Sequence, residues 1–170
     1  MKLALKNQTV LITGSGSGIG RGIANGFLKE GSSVILTGLN KKPLLKTEEK
    51  FLNRFSEEKI LSFNGNLNDS DVLESLYDYI IECAGGLNHL VCNIGSGKSV
   101  SPLDEDVKEF QRMLDINLLN AVGIVNKLIP LLEEKASKNK CFPSITFVGS
   151  ICGIETLGCP VAYASAKSAL

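Results

Sequence analysis

Tyr163 and Lys167 are spaced so that they can act together on a proton. Residues four apart on a helix share one face, with Cβ atoms about 6 Å apart. A lysine ammonium at that distance favours the tyrosinate form of a phenol, because an opposite charge stabilises the ionised state. Such a phenol can protonate a carbonyl oxygen or deprotonate an alcohol. The same spacing also occurs by chance on exposed helices, so the pair alone leaves both interpretations open.

Two further polar side chains could serve the same chemistry. Ser150 follows an apolar run and precedes Tyr163 by thirteen residues. Its hydroxyl could bind the substrate oxygen, or Gly149 and Ser150 could simply form the turn that ends a strand. Asn117 lies among apolar residues with helical spacing, where an unpaired buried amide costs roughly 1–3 kcal/mol. Asn117 could therefore belong to the site or could pack one helix against its neighbours.

A glycine-rich turn, Thr13-Gly14-Ser15-Gly16-Ser17-Gly18-Ile19-Gly20, follows the first apolar run. A strand, a glycine turn and a helix N-terminus together form an anion site, since free N–H groups point at the ligand. The G-x-G-x-x-G pattern fails because its third position falls on Ile19 or Arg21, and no Walker A motif is present. The pattern that fits is Thr-Gly-x-x-x-Gly-x-Gly. A turn without a ligand is the alternative.

Short apolar runs alternate with longer segments of helical period, which predicts a parallel sheet with helices on both faces. This is a doubly wound α/β fold of three layers, whose ligands bind beyond the carboxyl ends of the strands. The predicted strands are Thr9–Thr13, Ser33–Thr37, Ile60–Phe63, His89–Asn93 and Ser144–Val148. The predicted helices are Gly18–Glu30, Pro43–Phe55, Asp69–Ala84 and Asp104–Lys135, with Asp69 as an N-cap and another helix beginning near Tyr163.

The glycine pattern and Tyr-x-x-x-Lys together resemble the short-chain dehydrogenase/reductase family in its typical, single-domain subclass. The serine thirteen residues before the tyrosine matches as well. The resemblance implies a Rossmann fold and four catalytic residues. Tyr163 would be the acid/base, Lys167 would tune it and bind the ribose, Ser150 would anchor the substrate oxygen, and Asn117 would hold a water linked to Lys167. Gly149 departs from the serine often found there.

The resemblance also implies an NAD(P) cofactor. The residues expected to bind it are Gly14, Ser17, Gly18, Ile19, Gly20, Leu39, Asn40, Asn66, Leu67, Asn93, Gly95, Tyr163 and Lys167. Cys92 and Ile94 depart from the family's Asn-Asn-Ala-Gly, and Ile94 stands where an alanine usually faces the ribose. Gly38 occupies the position of the acid that binds NAD. Nothing there repels a 2′-phosphate, and Lys41 or Lys42 could reach one, so we lean slightly to NADP.

The function expected from these motifs is hydride transfer between a nicotinamide and a ketone or secondary alcohol. A dinucleotide-binding module that senses or scaffolds without turnover is the alternative. A sugar-nucleotide epimerase of the extended subclass is a weaker one, because its glycine turn is spaced differently.

Family members continue beyond Tyr-x-x-x-Lys with two more strands and a substrate loop. We therefore expect residues 1–170 to form a single NAD(P)-binding domain, truncated after the fifth strand and part of a longer protein. The fifth strand would then be an exposed edge. The full-length protein is expected to be a homodimer or homotetramer. Residues near the reactive centre predict an uncharged, apolar pocket wall for a small carbonyl or alcohol substrate: Ile151, Cys152, Gly153, Cys159, Pro160 and Val161.

The overall composition limits the other partners. The formal net charge is zero, which predicts neither a nucleic-acid nor a membrane partner. Lys135, Lys138 and Lys140 are interpreted as complementing the negative end of a helix. A single histidine, His89, makes a zinc site unexpected, and no metal is predicted. No run approaches the length of a membrane span. The five cysteines, Cys83, Cys92, Cys141, Cys152 and Cys159, are expected to be reduced thiols of a cytoplasmic protein.

Overall fold

The computed structural model describes residues 3–139, 142–155 and 157–170. Within them, strands and helices alternate along the chain as the sequence predicts. The strands are β1 (Thr9–Ile12), β2 (Ser33–Gly38), β3 (Ile60–Asn64), β4 (His89–Cys92) and β5 (Ser144–Phe147). The helices are α1 (Gly18–Lys29), α2 (Lys41–Leu52), α3 (Ser70–Ala84), α4 (Val107–Leu114), α5 (Asn120–Asn139) and α6 (Val161–Ala169). Short 3₁₀ turns cover Glu57–Lys59, Pro102–Asp104 and Ile151–Gly153.

The five strands form one parallel sheet in the order β3-β2-β1-β4-β5. The predicted doubly wound α/β fold is confirmed. Val10 is paired with Val34 on one side and with His89 on the other, so β1 is the centre of the sheet. The chain winds outward in opposite directions from β1, and a crevice therefore opens beyond its carboxyl end and that of β4.

The core has two halves, one on each face of the sheet. Side chains of β1 alternate between them: Leu11 packs with α3 and α5, whereas Val10 and Ile12 pack with α1 and α2. Because both faces of β1 are covered, its residues from Val10 to Ile12 are continuously apolar, as expected for a buried parallel strand. This burial fixes the helix layers against the sheet and holds the strand ends in place.

The ends of α3 follow the sequence prediction. The Asp69 carboxylate accepts hydrogen bonds from the backbone N–H groups of Asp71 and Val72, so the predicted N-cap is confirmed. The helix ends at Gly85, which adopts the left-handed conformation with φ of 63°. Such a glycine commonly terminates a helix because it lacks the Cβ that strains this conformation.

The start of the next helix differs from the prediction. It begins at Val107 rather than at Asp104, which belongs to the preceding 3₁₀ turn. The reason is that Asp106, and not Asp104, caps the helix by accepting a hydrogen bond from the N–H of Glu109. A π-helical turn, Asp115–Leu119, then joins α4 to α5 and carries Asn117. Turns of this kind are often found at functional sites.

The joined helix is unusually long. By length and composition the stretch Val107–Lys138 could cross a membrane, and its most apolar window has a mean hydropathy of 1.3. The expectation that no run reaches this length is therefore wrong. The inner face of the helix, including Met113, Ile124 and Leu128, is fully buried. A core helix that packs on a sheet passes the same length and hydropathy test, so this is weak evidence for a membrane span.

The far end of the sheet is more open. Phe147 of β5 is 44% exposed, in agreement with the predicted edge strand. Lys138 lies in the last turn of α5, where a cation complements the helix dipole, and it pairs with Glu134. Lys140 and Cys141 lie outside the described residues.

Candidate active site at the carboxyl ends of the strands

The glycine turn between β1 and α1 requires glycine for two separate reasons. Gly14 has a φ of 64°, a conformation that other residues rarely adopt. A Cβ atom on Gly20 would lie 2.6 Å from the carbonyl oxygen of Gly14 and 2.6 Å from Nδ2 of Asn93. Gly20 therefore lets α1 pack directly against the turn and brings the helix N-terminus close to the strand ends.

The N-terminus of α1 lacks a side-chain cap. Ser17 occupies the N-cap position without making a capping hydrogen bond, and the first turn has no acidic residue. The first N–H groups of a helix have no partner inside the helix, and the dipole makes this end positive. The start of α1 can therefore receive an anion such as a pyrophosphate.

Hydrogen bonds join the glycine turn to the chain that leaves β4. The buried Thr13 Oγ1 accepts from the backbone N–H groups of Asn93 and Ile94, at 2.8 and 3.1 Å. The Asn93 amide donates to the carbonyl oxygens of Thr13 and Gly14. Asn93 thus braces the turn, and Thr13 is a positioning residue that the sequence analysis did not single out as part of the site.

Ser15 and Thr37 join the turn to the end of β2. The buried Ser15 hydroxyl donates to the carbonyl oxygen of Ile12 at 2.9 Å and accepts from the N–H of Thr37 at 2.8 Å. Sequence reasoning missed both. A small polar residue inside a glycine turn, and a threonine at the end of an apolar strand, were the only signals available.

These strand ends border a cleft of about 600 Å³. Of the residues predicted to bind a cofactor, those lining it are Gly14, Ser17, Gly18, Ile19, Leu39, Asn66, Leu67, Asn93 and Gly95. Lining residues that the prediction omitted are Thr37, Gly38, Gly65, Asn68, Ile94, Ile116 and Asn120. Asn68 and Asn120 hydrogen-bond each other through their side chains. Four predicted residues do not line the cleft: Gly20 packs behind the turn, Asn40 is the N-cap residue of α2, and Tyr163 and Lys167 lie on α6.

Tyr163 and Lys167 both lie on α6, as predicted. Lys167 is buried, and its ammonium donates to the carbonyl oxygen of Val148, just beyond β5, at 2.9 Å. Burial lowers the pKa of Lys167 below its usual range. A Cβ atom on Gly95 would lie 3.2 Å from its Nζ, so Lys167 adjoins a residue of the cleft wall. The ring of Tyr163 packs against Gly97, whose Cβ position lies 3.6 Å from the ring carbon Cζ.

Asn117 is buried and fully engaged with protein groups. Its Oδ1 accepts from the N–H of Ser96 at 3.0 Å, and its Nδ2 donates to the carbonyl oxygens of Ser96 and Met113, each at 3.1 Å. The buried amide therefore has the partners that its burial demands. Asn117 clamps the chain beyond β4 to the π-helical turn. Its water-holding role stays a prediction.

Ser150 caps the short turn Ile151–Gly153, its oxygen accepting from the N–H of Cys152 at 3.2 Å. A hydroxyl has one proton and two lone pairs, so this bond leaves the proton able to donate to another oxygen. Ser150 therefore follows the strand and caps the next turn, and its hydroxyl proton is not used by this hydrogen bond.

The structure corrects one expectation about the cysteines. Cys152 and Cys159 form a disulfide, whereas Cys83 and Cys92 are free. The chain between Ser150 and Tyr163 folds back, which brings the two Cα atoms to 6.2 Å, within the range of a disulfide. A sequence separation of seven did not reveal this approach. Burial raises the pKa of the free Cys92 to about 11, so this thiol is unreactive.

The residues around the cleft fit a dinucleotide. The uncapped start of α1 suits a pyrophosphate, and the close packing at Gly20 brings this helix start against the turn. The cleft continues from this turn past the end of β2, where Leu39 is exposed, to the amides Asn66 and Asn68. In the part of the chain that the structure describes, no group of histidine, cysteine or carboxylate side chains could hold a metal ion.

Comparison with known proteins gives consistent results. The family model described as short chain dehydrogenase matches residues 8–170. An uncharacterised oxidoreductase of Staphylococcus aureus (strain MW2) is 26% identical over 166 residues, which are 98% of this chain and 68% of that protein. L-sorbose reductase from Gluconobacter frateurii, solved with NADPH and L-sorbose, is similar in fold with a TM-score of 0.89 and 24% identity. The whole of this chain aligns with 62% of the length of that protein.

A third similar structure is a short-chain dehydrogenase/reductase of unknown function from Caenorhabditis elegans, solved with cofactor. Its TM-score is 0.87 and its identity 27%, over 97% of this chain and 61% of that one. The chain thus spans about three fifths to two thirds of the length of these three proteins.

Two glycines of α1 offer a matched test of the turn. Gly20→Ala places a Cβ against backbone and should abolish nucleotide binding or lower thermal stability by several degrees. Gly22→Ala has nothing within 4 Å of its Cβ and should keep binding while gaining about 1 kcal/mol of stability. Thermal unfolding with and without NADPH measures both the stability and the nucleotide binding of each variant. Equal behaviour of the two variants would contradict the packing assigned to Gly20.

The disulfide has a direct chemical test. When the unfolded chain is treated with an alkylating reagent, the peptide that contains Cys152 and Cys159 should gain two alkyl groups only after reduction. Cys83 should be labelled without reduction and serves as the internal control. Mass spectrometry of the digested protein reads both. Labelling of Cys152 and Cys159 before reduction would show that they are thiols.

Proposed function

The chain belongs to the short chain dehydrogenase family, and on this premise we propose that it transfers hydride between a nicotinamide and a ketone or secondary alcohol. The observation that carries the proposal is the position of α6. Its Lys167 adjoins Gly95 of the nucleotide cleft and its Tyr163 packs on Gly97, two residues further along. This arrangement supports Tyr163 as a proton donor at the Gly95 end of the cleft.

The bound nicotinamide would supply or accept the hydride. In the direction of reduction, Tyr163 gives its phenolic proton to the substrate oxygen, and in oxidation it takes that proton back. The Ser150 hydroxyl, whose oxygen already accepts from the Cys152 N–H, donates its hydrogen to the same oxygen. The Lys167 ammonium donates one N–H to the carbonyl oxygen of Val148. Its two other N–H groups would be available to ribose hydroxyls and to the part of the site that holds Tyr163.

The residues that would hold the cofactor follow the cleft from end to end. The N-terminus of α1 at Ser17 and Gly18 would receive the pyrophosphate, and Leu39, with Asn40 just off the cleft wall, would lie at the adenosine ribose. Asn66 and Leu67 would lie at the adenine. Asn93 and Gly95 border the nicotinamide half together with Ile94. The branched Ile94 side chain lines the cleft and makes that half narrower than an alanine would.

Charge at the start of α2 supports NADP over NAD. Lys41 and Lys42 form the first turn of this helix, which has no acidic residue there. Lysine ammonium groups at a helix N-terminus are repelled by the positive end of the helix dipole. A 2′-phosphate placed beside them would be attracted by the ammonium groups and by the dipole. Gly38, at the end of β2, offers no carboxylate to repel that phosphate.

Other properties of the whole protein are proposals of lesser detail. We infer a small carbonyl or alcohol substrate, an NAD(P)-binding domain over residues 1–170, and a homodimer or homotetramer. The cytoplasmic location stays a prediction, and the Cys152–Cys159 disulfide weighs against it because disulfides are rare in reducing compartments. The alternative, a dinucleotide-binding sensor or scaffold without turnover, is separated from an enzyme by the first experiment below.

Tyr163→Phe removes the proton but keeps the ring against Gly97. Turnover of a ketone panel with NADPH should fall at least about a hundredfold, the usual contribution of a general acid, whereas the Kd for NADPH should stay within about twofold. Tyr77→Phe on α3 is the control and should leave both values unchanged. Undiminished turnover by Tyr163→Phe would contradict the acid/base assignment.

Gly38→Asp tests the cofactor preference. Its Cβ would lie 3.6 Å from Cβ of Leu44, an ordinary contact, so the variant should fold. The new carboxylate should accept hydrogen bonds from ribose hydroxyls and repel a 2′-phosphate. The ratio of the Kd for NADPH to that for NADH should rise at least about tenfold, which corresponds to about 1.4 kcal/mol. An unchanged ratio in fluorescence titrations would show that Gly38 lies away from the adenosine ribose.

A further inference from the structure

The helix that carries Tyr163 and Lys167 lacks a cap of its own. Its N-cap residue is Pro160, whose side chain has no hydrogen-bond acceptor. The N–H groups of Val161 and Ala162 instead donate to the carboxylate of Glu105, at 2.8 and 3.2 Å. Glu105 precedes these residues by 56 and 57 positions, so the start of α6 is capped from a distant segment.

A carboxylate is well suited to this position. Both of its oxygens accept one N–H group each, and its negative charge faces the positive end of the helix dipole. Tyr163 directly follows the two residues whose N–H groups Glu105 holds. Movement of this first turn would therefore move the Tyr163 ring as well.

Glu105 is itself held in place by a polar cluster. The Ser99 hydroxyl lies 2.9 Å from Oε1 of Glu105 and 2.6 Å from Oε1 of Glu109, so its single proton is shared between two carboxylates. Arg112 donates to both oxygens of Glu109 and to the carbonyl oxygen of Lys98. These hydrogen bonds, from Arg112 first and then from Ser99, lower the pKa of Glu109 to about 2, so it remains an acceptor over the whole physiological range.

The same stretch of chain, residues 95–105, touches the site at three further points. Gly95 adjoins Lys167, Ser96 exchanges two hydrogen bonds with Asn117, and Gly97 lies against the Tyr163 ring. The Ser96 end of this stretch is therefore held by Asn117 of the π-helical turn, and the Glu105 end is held by the start of α6. The position and rotation of α6 relative to the cleft therefore depend on the contacts at both ends of residues 95–105.

We propose that Glu105 is a positioning residue for Tyr163, holding the first turn of α6 where the phenol meets the substrate oxygen. This role rests on the proposed function, since it concerns the proton transfer assigned to Tyr163. Glu105 is distinct from the proposed catalytic residues because its carboxylate accepts from the backbone of α6 and from Ser99, and it acts on substrate only through the position of Tyr163. Its loss should affect the chemical step more than cofactor binding, because misplacing a reacting group lowers the rate without removing cofactor contacts.

The test uses Glu105→Ala, Glu105→Gln and a control variant in the full chain. Glu105→Ala should lower kcat for ketone reduction at least about tenfold, with the KM for NADPH within about twofold. Glu105→Gln keeps one acceptor oxygen and should recover part of kcat. Hydrogen exchange followed by mass spectrometry should show faster exchange at residues 161–163 in Glu105→Ala than in the wild type.

The control is Asp69→Ala, which also removes a carboxylate that accepts two N–H groups at a helix start, but on α3. It should lower thermal stability without reducing kcat more than about twofold. An equal loss of kcat in both alanine variants, or an unchanged kcat in Glu105→Ala, would overturn the positioning role. If the wild type reduces no ketone, the proposed function fails, and hydrogen exchange alone tests the cap. Unchanged exchange at residues 161–163 in Glu105→Ala would then show that Glu105 does not hold the first turn of α6.

Discussion

Thr13 accepts two backbone hydrogen bonds from the chain that leaves β4, and this contact determines how the rest of the site is assembled. It fixes Asn93, whose amide then braces the glycine turn. The following residues, Gly95 and Ser96, meet Lys167 and Asn117 on the other side. A single short segment therefore joins the nucleotide-binding half of the molecule to the half that carries the phenol.

The joint tolerates little change because it is close-packed. Backbone, amide and ammonium groups lie where a Cβ on Gly20 or Gly95 would have to be. Thr13, Ser15 and Asn117 are buried, and each has hydrogen-bond partners that offset the cost of removing it from water. Polar groups held in this way have fixed directions, which is what a site needs in order to orient a cofactor and a substrate.

Much of this arrangement could be predicted from local sequence. Alternating apolar runs and helical periods gave the parallel sheet, and Asp69 was recognised as a cap because its bonds are to residues two and three positions away. The glycine turn could be located as well, because its spacing is also a local feature of the sequence. Contacts between distant segments left no such signal: the cap by Glu105 on α6, the bonds of Thr13 to β4 and the Cys152–Cys159 disulfide all depend on the tertiary path of the chain. The cap at Asp106 shows that even local prediction fails when two aspartates compete for one helix start.

In the proposed function, the strand ends of β1, β2 and β4 form a dinucleotide cleft beside Tyr163. Thermal unfolding of the unaltered chain with increasing NADPH or NADH tests it most directly, because a ligand that binds only the folded state raises the Tm. The Tm should rise to saturation with NADPH, and it should rise less with NADH at equal concentration. No rise with either nucleotide at millimolar concentration would contradict it.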